Sequence, residues 1–305
     1  MMKKISYYTL GLVALIGVGL ILGAYTLSFP LTVNMKEQLL MTRLPRVFAA
    51  LLTGAMLGCG GAVLKRYTQN DLADPGLIGI ASGGQLMMVL SLIIMPQAPY
   101  MVRQIAAVIG SGIMLGGLLW IQQRERQQKT FVLFGFAISA LTTSIVTMLA
   151  TVFHFNNYLT QWSSGGLQLV SWSQVALLLI AFVLGWPLIA LIRQPLAIYE
   201  TEQEMAHLLG VDMKRFQRHI VCLLALYIGV ATSVIGNVIF FGLMVATVTR
   251  RRGMGMALYI GASVMLLADI IARVWSAPEE TSLVAVIAVI AAPFFFYLVR
   301  KQVVR

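Results

Sequence analysis

Charge is what this sequence has least of. Asp, Glu, Lys and Arg make up only 11% of its 305 residues, against about 25% in soluble domains. Acids are the scarcer sign, with 11 Asp and Glu against 22 Lys and Arg. No stretch is long and polar enough to fold as a separate soluble domain, so residues 1–305 read as one membrane-embedded domain. Cysteine is nearly absent too. Cys59 and Cys222 both fall in apolar runs without paired spacing, which excludes a disulfide framework and a cysteine metal site. The three histidines, His154, His207 and His219, lack ligand spacing. There is no G-x-x-x-x-G-K-[ST] phosphate loop, no H-E-x-x-H and no G-x-S-x-G, so ATP hydrolysis by a phosphate loop and those two hydrolase chemistries are excluded. The expectation is a chain with no catalytic residue, no metal site and no directly bound cofactor.

What the sequence has is apolar length. It is 59% hydrophobic with a mean hydropathy of +0.86, and a crossing needs roughly 20 apolar residues. Such runs fall at 7–29, 47–64, 77–95, 104–121, 131–153, 175–192, 220–249, 257–274 and 283–299. The first follows Lys3 and Lys4 but is too long for a signal core and has no small-x-small site after it, so it reads as a retained span. The run at 220–249 is too long for one crossing and is interrupted by Gly236-Asn237. If it crosses twice, 17 of the 22 Lys and Arg lie inside, and only Lys36, Arg43, Arg46, Arg103 and Arg273 lie outside. Crossing once, the split is 12 against 10. The positive-inside rule therefore predicts an all-α protein of about ten transmembrane helices with both termini cytoplasmic. It also explains the net charge of +11 without any nucleic-acid partner.

Three regions carry candidate function. Arg43 to Gly84 joins an apolar run rich in small residues, which let helix backbones approach closely, to a polar loop, Asn70-Asp71-Leu72-Ala73-Asp74-Pro75. The inner loop at about 194–219 places Glu200, Glu202 and Glu204 before Met205, Leu208 and Leu209, with Gly210 closing a short helix. Asp212 is positioned to cap a second short helix with Lys214, Arg215 and Arg218. Two short amphipathic helices there suit docking of another protein, since the acids argue against lipid headgroups. In 131–153, Gly135, Ser139, Thr143 and Thr147 recur every four residues with Thr142 alongside. That face reads equally as a pathway lining or as close helix packing. Asp269 is an acid deep in a span, and Arg273 one turn on makes an i,i+4 pair the simpler reading. A proton-coupled transporter using Asp269 is the alternative it leaves open.

These residues resemble a known family, the FecCD-type permeases of ABC importers for iron–siderophore complexes, haem and cobalamin. The resemblance covers nearly the whole chain. It rests on Arg43-Leu44-Pro45-Arg46, Gly54-Ala55, Gly60-Gly61-Ala62, the Asn70–Pro75 loop and Leu77-Ile78-Gly79-Ile80-Ala81-Ser82-Gly83. Further along it rests on Trp162 with Ser164-Gly165, Glu204 with Ala206, Leu209-Gly210-Val211, Phe240 with Gly242-Leu243, Arg250, Gly261-Ala262, Ala268-Asp269, Arg273 and Pro293-Phe294. It implies a type II ABC importer permease fold in a bacterial plasma (inner) membrane. The implied partners are a second permease subunit (a paralogue is favoured over an identical copy), an ABC ATPase dimer that uses the ATP, an extracytoplasmic substrate-binding protein and membrane lipid. It implies iron-complex cargo, siderophore or haem, with cobalamin as the alternative. Glu200, Glu202, Glu204, Met205, Leu208, Leu209 and Gly210 would couple to the ATPase. Arg43, Arg46 and Arg273, three of the five cations that charge bias puts outside, would meet carboxylates of the binding protein.

Some positions depart from the family pattern. Asp71 stands where the family has proline, Gly236-Asn237-Val238 where it has Gly-Pro-Ile, and Ala246-Thr247 where it has Pro-His. Ser282, Val284 and Ala291 replace favoured proline and glycine. Loss of helix breakers changes local loop geometry, and the resemblance then implies a diverged subunit.

Overall fold

The structure is a computed structural model that describes residues 2–21, 39–124, 128–168, 170–201, 206, 208–250, 252–275 and 280–303. The described residues contain helices and connections and no strand. In chain order the helices are α1 (Met2–Ile21), α2 (Leu44–Thr68), α3 (Ile80–Ile94), α4 (Tyr100–Arg124), α5 (Gln128–Val152), α6 (Asn156–Ser163), α7 (Trp172–Thr201), α8 (Met213–Ile235), α9 (Phe241–Val248), α10 (Met254–Val274) and α11 (Leu283–Val303). A π-helical turn, Leu39–Arg43, leads straight into α2, where Pro45 sits in the first turn and so costs no backbone hydrogen bond.

Among the described residues, six helical segments are long and apolar enough to cross a membrane: Leu39–Thr68, Tyr100–Ile121, Leu133–Val152, Trp172–Thr201, Met213–Ile235 and Met254–Val274. The chain is a multi-pass membrane protein. Helix α2 is its axis and touches α7, α8, α9 and α10. Its apolar window is 83% buried, whereas those of α5 and α7 are 22% and 28% buried and leave broad faces for lipid or another chain. Small residues make the central contacts. A Cβ on Gly54 would meet the Gly261 carbonyl of α10, and one on Gly61 would meet the Gly242 backbone of α9. In lipid, where apolar burial does not drive helices together, such backbone proximity is what holds them.

The long run at 220–249 breaks where Gly236-Asn237 interrupts it. Helix α8 ends at Ile235, α9 starts at Phe241, and the residues between are not helical. Gly236 has φ +77° and ψ −168°, a region essentially closed to side-chain-bearing residues. The α2–α3 connection plugs this break. Asp74 is fully buried and its carboxylate accepts from Gly76 N at 3.0 Å, Phe240 N at 3.1 Å and Leu243 N at 3.0 Å. It thereby satisfies donors that α9, like any helix start, leaves unpaired.

The 194–219 region differs from the expected pair of short helices. Helix α7 continues through Thr201, so Glu200 closes a long helix instead of opening a short one. The apolar pattern of the span runs on through Leu196 and Tyr199, both buried, and carries the helix with it. Asp212 does cap, accepting from Lys214 N and Arg215 N at 3.1 Å each. The helix it caps is α8, 23 residues long, and not a separate short one.

Candidate functional site

Two ends of the bundle carry the polar chemistry. At the end that holds the α7–α8 connection, Tyr67 of α2 stacks on Tyr199 of α7 at 5.5 Å, and Phe216 of α8 packs 5.7 Å from Tyr199 and 5.9 Å from Tyr67. Gln69 Nε2 donates to Tyr199 O at 3.0 Å. These contacts root the connection on the central helix. Of the residues expected to couple, Glu200 is half exposed with a carboxylate oxygen 4.0 Å from Arg66 Nε. That cation offsets the cost of an acid in the last turn of a helix. Leu208 and Leu209 are 80% and 60% exposed, and Gly210 turns the chain with φ +85°. Glu202, Glu204 and Met205 lie outside the described residues.

Beside this connection is a cavity of about 260 Å³ lined by Lys65, Arg66, Gln69, Asp71, Ala246 and Arg250, among others. Asp71 lies 3.3 Å from Lys65 Nζ and 3.6 Å from Arg250 Nη1. Lys65 Nζ also donates to Thr247 Oγ1 at 3.1 Å. Sequence reasoning missed this cluster because Thr247 and Arg250 lie about 180 residues from Lys65 and Asp71.

At the opposite end, Arg46 and Arg273 share one carboxylate. Arg46 Nε donates to Asp269 Oδ1 at 2.9 Å, and Arg273 Nη2 pairs with Asp269 Oδ2 across one turn of α10. Arg46 also donates through Nη1 and Nη2 to both Glu280 oxygens at 2.8 Å. Arg273 Nη1 donates to Gly19 O at 3.0 Å, and Arg43 Nη1 to Leu20 O and Ile21 O. The three arginines expected to dock a partner are thus gathered at one end, as a group. Arg46 is 9% and Arg273 2% exposed, and both are bound by the chain's own acids. Glu280 was not singled out in the sequence. The signal available was its place in the connection that follows Arg273, where an acid can balance an outer cation. Burial alone would raise the Glu280 carboxyl, but hydrogen bonds and charge from Arg46 hold it below the usual carboxylate range.

The five small and hydroxyl residues on α5 do not share one face. Gly135 and Thr142 are buried, Ser139 is half-buried, and Thr143 and Thr147 are exposed. Four-residue spacing turns a helix by about 40° per step, so three steps carry Thr147 about 120° from Gly135, whereas Thr142 comes back to the same side. Gly135 packs on Ile78. Thr143 and Thr147 line a shallow groove with Ser144 and Thr151, open on the protein's outer surface.

The sequence matches the FecCD transport family over residues 11–301. The chain belongs to this family. It is 31% identical over 277 residues to the Fe(3+) dicitrate transport system permease protein FecC of Escherichia coli (strain K12), covering 85% of this chain and 82% of that protein. It is also 31% identical over 270 residues to the iron(3+)-hydroxamate import system permease protein FhuB of Bacillus subtilis (strain 168), covering 85% and 70%. Among solved structures, an inward-facing metal-chelate type ABC transporter aligns with a TM-score of 0.86 at 23% identity, over 99% of this chain and 100% of that one. These relatives are transport subunits and not enzymes. Within the FecCD pattern, the departures at Asp71, Ala246 and Thr247 prove to be neighbours, since all three border or bind the Lys65 cluster.

Proposed function

We propose that this chain is the membrane-spanning permease subunit of an ATP-driven importer for iron chelates, siderophore or haem, in a bacterial plasma membrane. The observation that carries the reading is the FecCD match along nearly the whole chain, with FecC and FhuB as relatives at 31% identity. A separate ATPase dimer supplies the energy, a binding protein outside the membrane delivers the chelate, and a second permease subunit completes the path. Ten crossings follow if α6 is set aside: α1, α3 and α11 carry shorter apolar stretches, and α9 adds about two turns to the non-helical residues 236–240. Eight helical residues rise about 12 Å and the five non-helical ones reach at most about 16 Å, together no more than the roughly 30 Å of the bilayer core. Both termini then face the cytoplasm, with the α7–α8 connection. The exposed hydroxyl groove of α5 faces the second subunit and lines the path between the two.

The test is a mild-detergent purification of the tagged chain, followed by reconstitution with whatever ATPase copurifies. Expected are a bound ATPase and accumulation of iron chelate that stops without ATP. A chain that transports alone, with no ATPase, overturns the reading.

A further inference from the structure

Lys214, Arg215 and Arg218, expected on a separate short helix, instead fall within the first six residues of α8, which is long and apolar enough to cross a membrane. All three are exposed. Arg215 Nε lies 3.1 Å from Asp212 Oδ2, but among the described residues no acid pairs with Lys214 or Arg218. Neither α8 nor the neighbouring α4 contains an Asp or Glu. Glu200, an acid that weighed against lipid in the sequence, is turned toward Arg66 at 4.0 Å. Helix α4 runs antiparallel beside α8. A Cβ on Gly229 would stand 3.1 Å from Val108 and Ser111, and one on Gly112 would stand 3.5 Å from Ala225. One turn further along α4 the seam has room, since a Cβ on Gly116 or Gly117 would meet nothing within 4 Å. Counted from the Gly112–Ala225 contact at about 1.5 Å per residue, Trp120 lies about 12 Å and Arg218 about 10 Å toward the same end. They share one level. Seven residues from Ala225, Arg218 is within about 20° of it around α8, so it borders the same seam. Trp120 is 55% exposed, and the outer face of α4 above it is apolar and exposed at Ile109 and Ile113.

We propose that the α4–α8 seam holds an anionic phospholipid, its phosphate at Lys214 and Arg218 and one acyl chain laid over Gly116 and Gly117. Cations grouped where a membrane helix begins attract anionic headgroups, and two of these have no acid of the chain to neutralise them. The indole of Trp120 stands at the same level, with an apolar body and a polar N–H suited to the boundary between chains and headgroups. Above it the two glycines leave a strip without side chains, where an acyl chain reaches the helix backbone. A zwitterionic lipid fits the strip equally well but brings its own ammonium toward Lys214 and Arg218, which repel it. Charge therefore selects the lipid and the seam seats it. The site does not depend on the importer reading, which adds only that this end faces the cytoplasm, beside the α7–α8 connection that the lipid would steady.

The experiment is native mass spectrometry of the purified full chain, with whatever partners copurify, titrated with phosphatidylglycerol and with phosphatidylcholine of the same acyl chains. Each cation near an anionic headgroup is worth about fivefold in affinity, so phosphatidylglycerol is expected to bind about 25-fold more tightly. Lys214→Gln combined with Arg218→Gln is expected to bring the two lipids to within about twofold, with the thermal midpoint of the lipid-free chain unchanged. Gly116→Trp is the second variant. Its Cβ has open space, so the indole fills the seam without disturbing the fold, and it is expected to expel phosphatidylglycerol although both cations remain. Inorganic phosphate is expected to leave the lipid adduct in place. Equal affinities for the two lipids, a preference that survives the double substitution, or retention by Gly116→Trp overturns the proposal. Displacement by inorganic phosphate reduces the site to an anion contact and overturns it too. A preference seen only after an ATPase is stripped away gives these cations to the protein partner, with the same result. Failure of any ATPase to copurify overturns the importer reading instead, and the lipid preference is then read on the chain by itself.

Discussion

Arg46 divides its guanidinium between two carboxylates, Nε toward Asp269 and the Nη pair toward Glu280, and that sharing makes each acid's contribution separable. Asp269 is fully buried, while the Glu280 side chain is 16% exposed. Removing the charge at Glu280 leaves Arg46 with one of its two carboxylates, Asp269. Glu280→Gln is therefore expected to lower stability by about 1–3 kcal/mol, less than the 3–5 kcal/mol or so for stranding a buried charge completely. Thermal unfolding in detergent measures it, and an unchanged midpoint removes the bidentate pair from the account. The pH dependence has a definite sign. The folded pKa of Glu280 is depressed below the 4.5 of an ordinary glutamate. Its contribution is therefore complete above 4.5 and is lost as pH falls through the lower folded value. The unmodified chain should lose stability in that acid window more steeply than Glu280→Gln. Parallel curves would mean that Glu280 carries no linked proton.

At the scale of elements, the α8–α9 break depends on a residue outside both helices. Asp74 caps three backbone donors, two of them about 166 residues away. Asp74→Ala leaves all three open and is expected to cost at least about 3 kcal/mol, whereas Asp74→Asn keeps one acceptor and costs about half as much. Faster amide exchange at Phe240 and Leu243 in the alanine variant is the direct readout, and equal exchange in both variants counts against capping. A second element-scale prediction concerns Asp71, which joins Lys65 of α2 to Arg250 after α9. Asp71→Arg is expected to loosen this junction, and adding Arg250→Asp to restore most of the lost thermal midpoint. A double variant no better than the single one would show that the ion pair is incidental. The break itself was legible in the sequence, because a glycine and an asparagine interrupt a 30-residue apolar run. The Asp212 cap and the Asp269–Arg273 pair were legible too, since their partners lie within four residues. The roles of Asp74 and Glu280 were not. They are defined by groups more than 160 residues away, which no local pattern encodes. The α5 stripe misled for a different reason: spacing of four approximates the helical repeat over one step and drifts off the face over three.

For the whole molecule, the ends differ in what they leave free. The arginine end is largely self-satisfied, with Arg46 and Arg273 held by Asp269 and Glu280 and Arg43 by the carbonyls closing α1. Reversing Arg46 would break the internal network, so Arg43→Glu is the cleaner probe of binding-protein docking. The other end presents Leu208 and Leu209 to solvent at the tip of the α7–α8 connection, 80% and 60% exposed. The Tyr67–Tyr199–Phe216 stack fixes the two helices flanking this connection to the central helix. Paired exposed leucines on a rigidly rooted turn suit burial in a partner's groove, where each contributes about 1.5–3 kcal/mol. Replacing both with Asp touches nothing in the chain's own core, so thermal midpoint should hold. Association with the proposed ATPase partner should weaken by 100-fold or more, since two leucines lost at about 1.5 kcal/mol each already amount to that. If the doubly substituted chain retains its ATPase in a pull-down, energy enters elsewhere on this face, and Glu200 with its Arg66 contact becomes the next position to reverse.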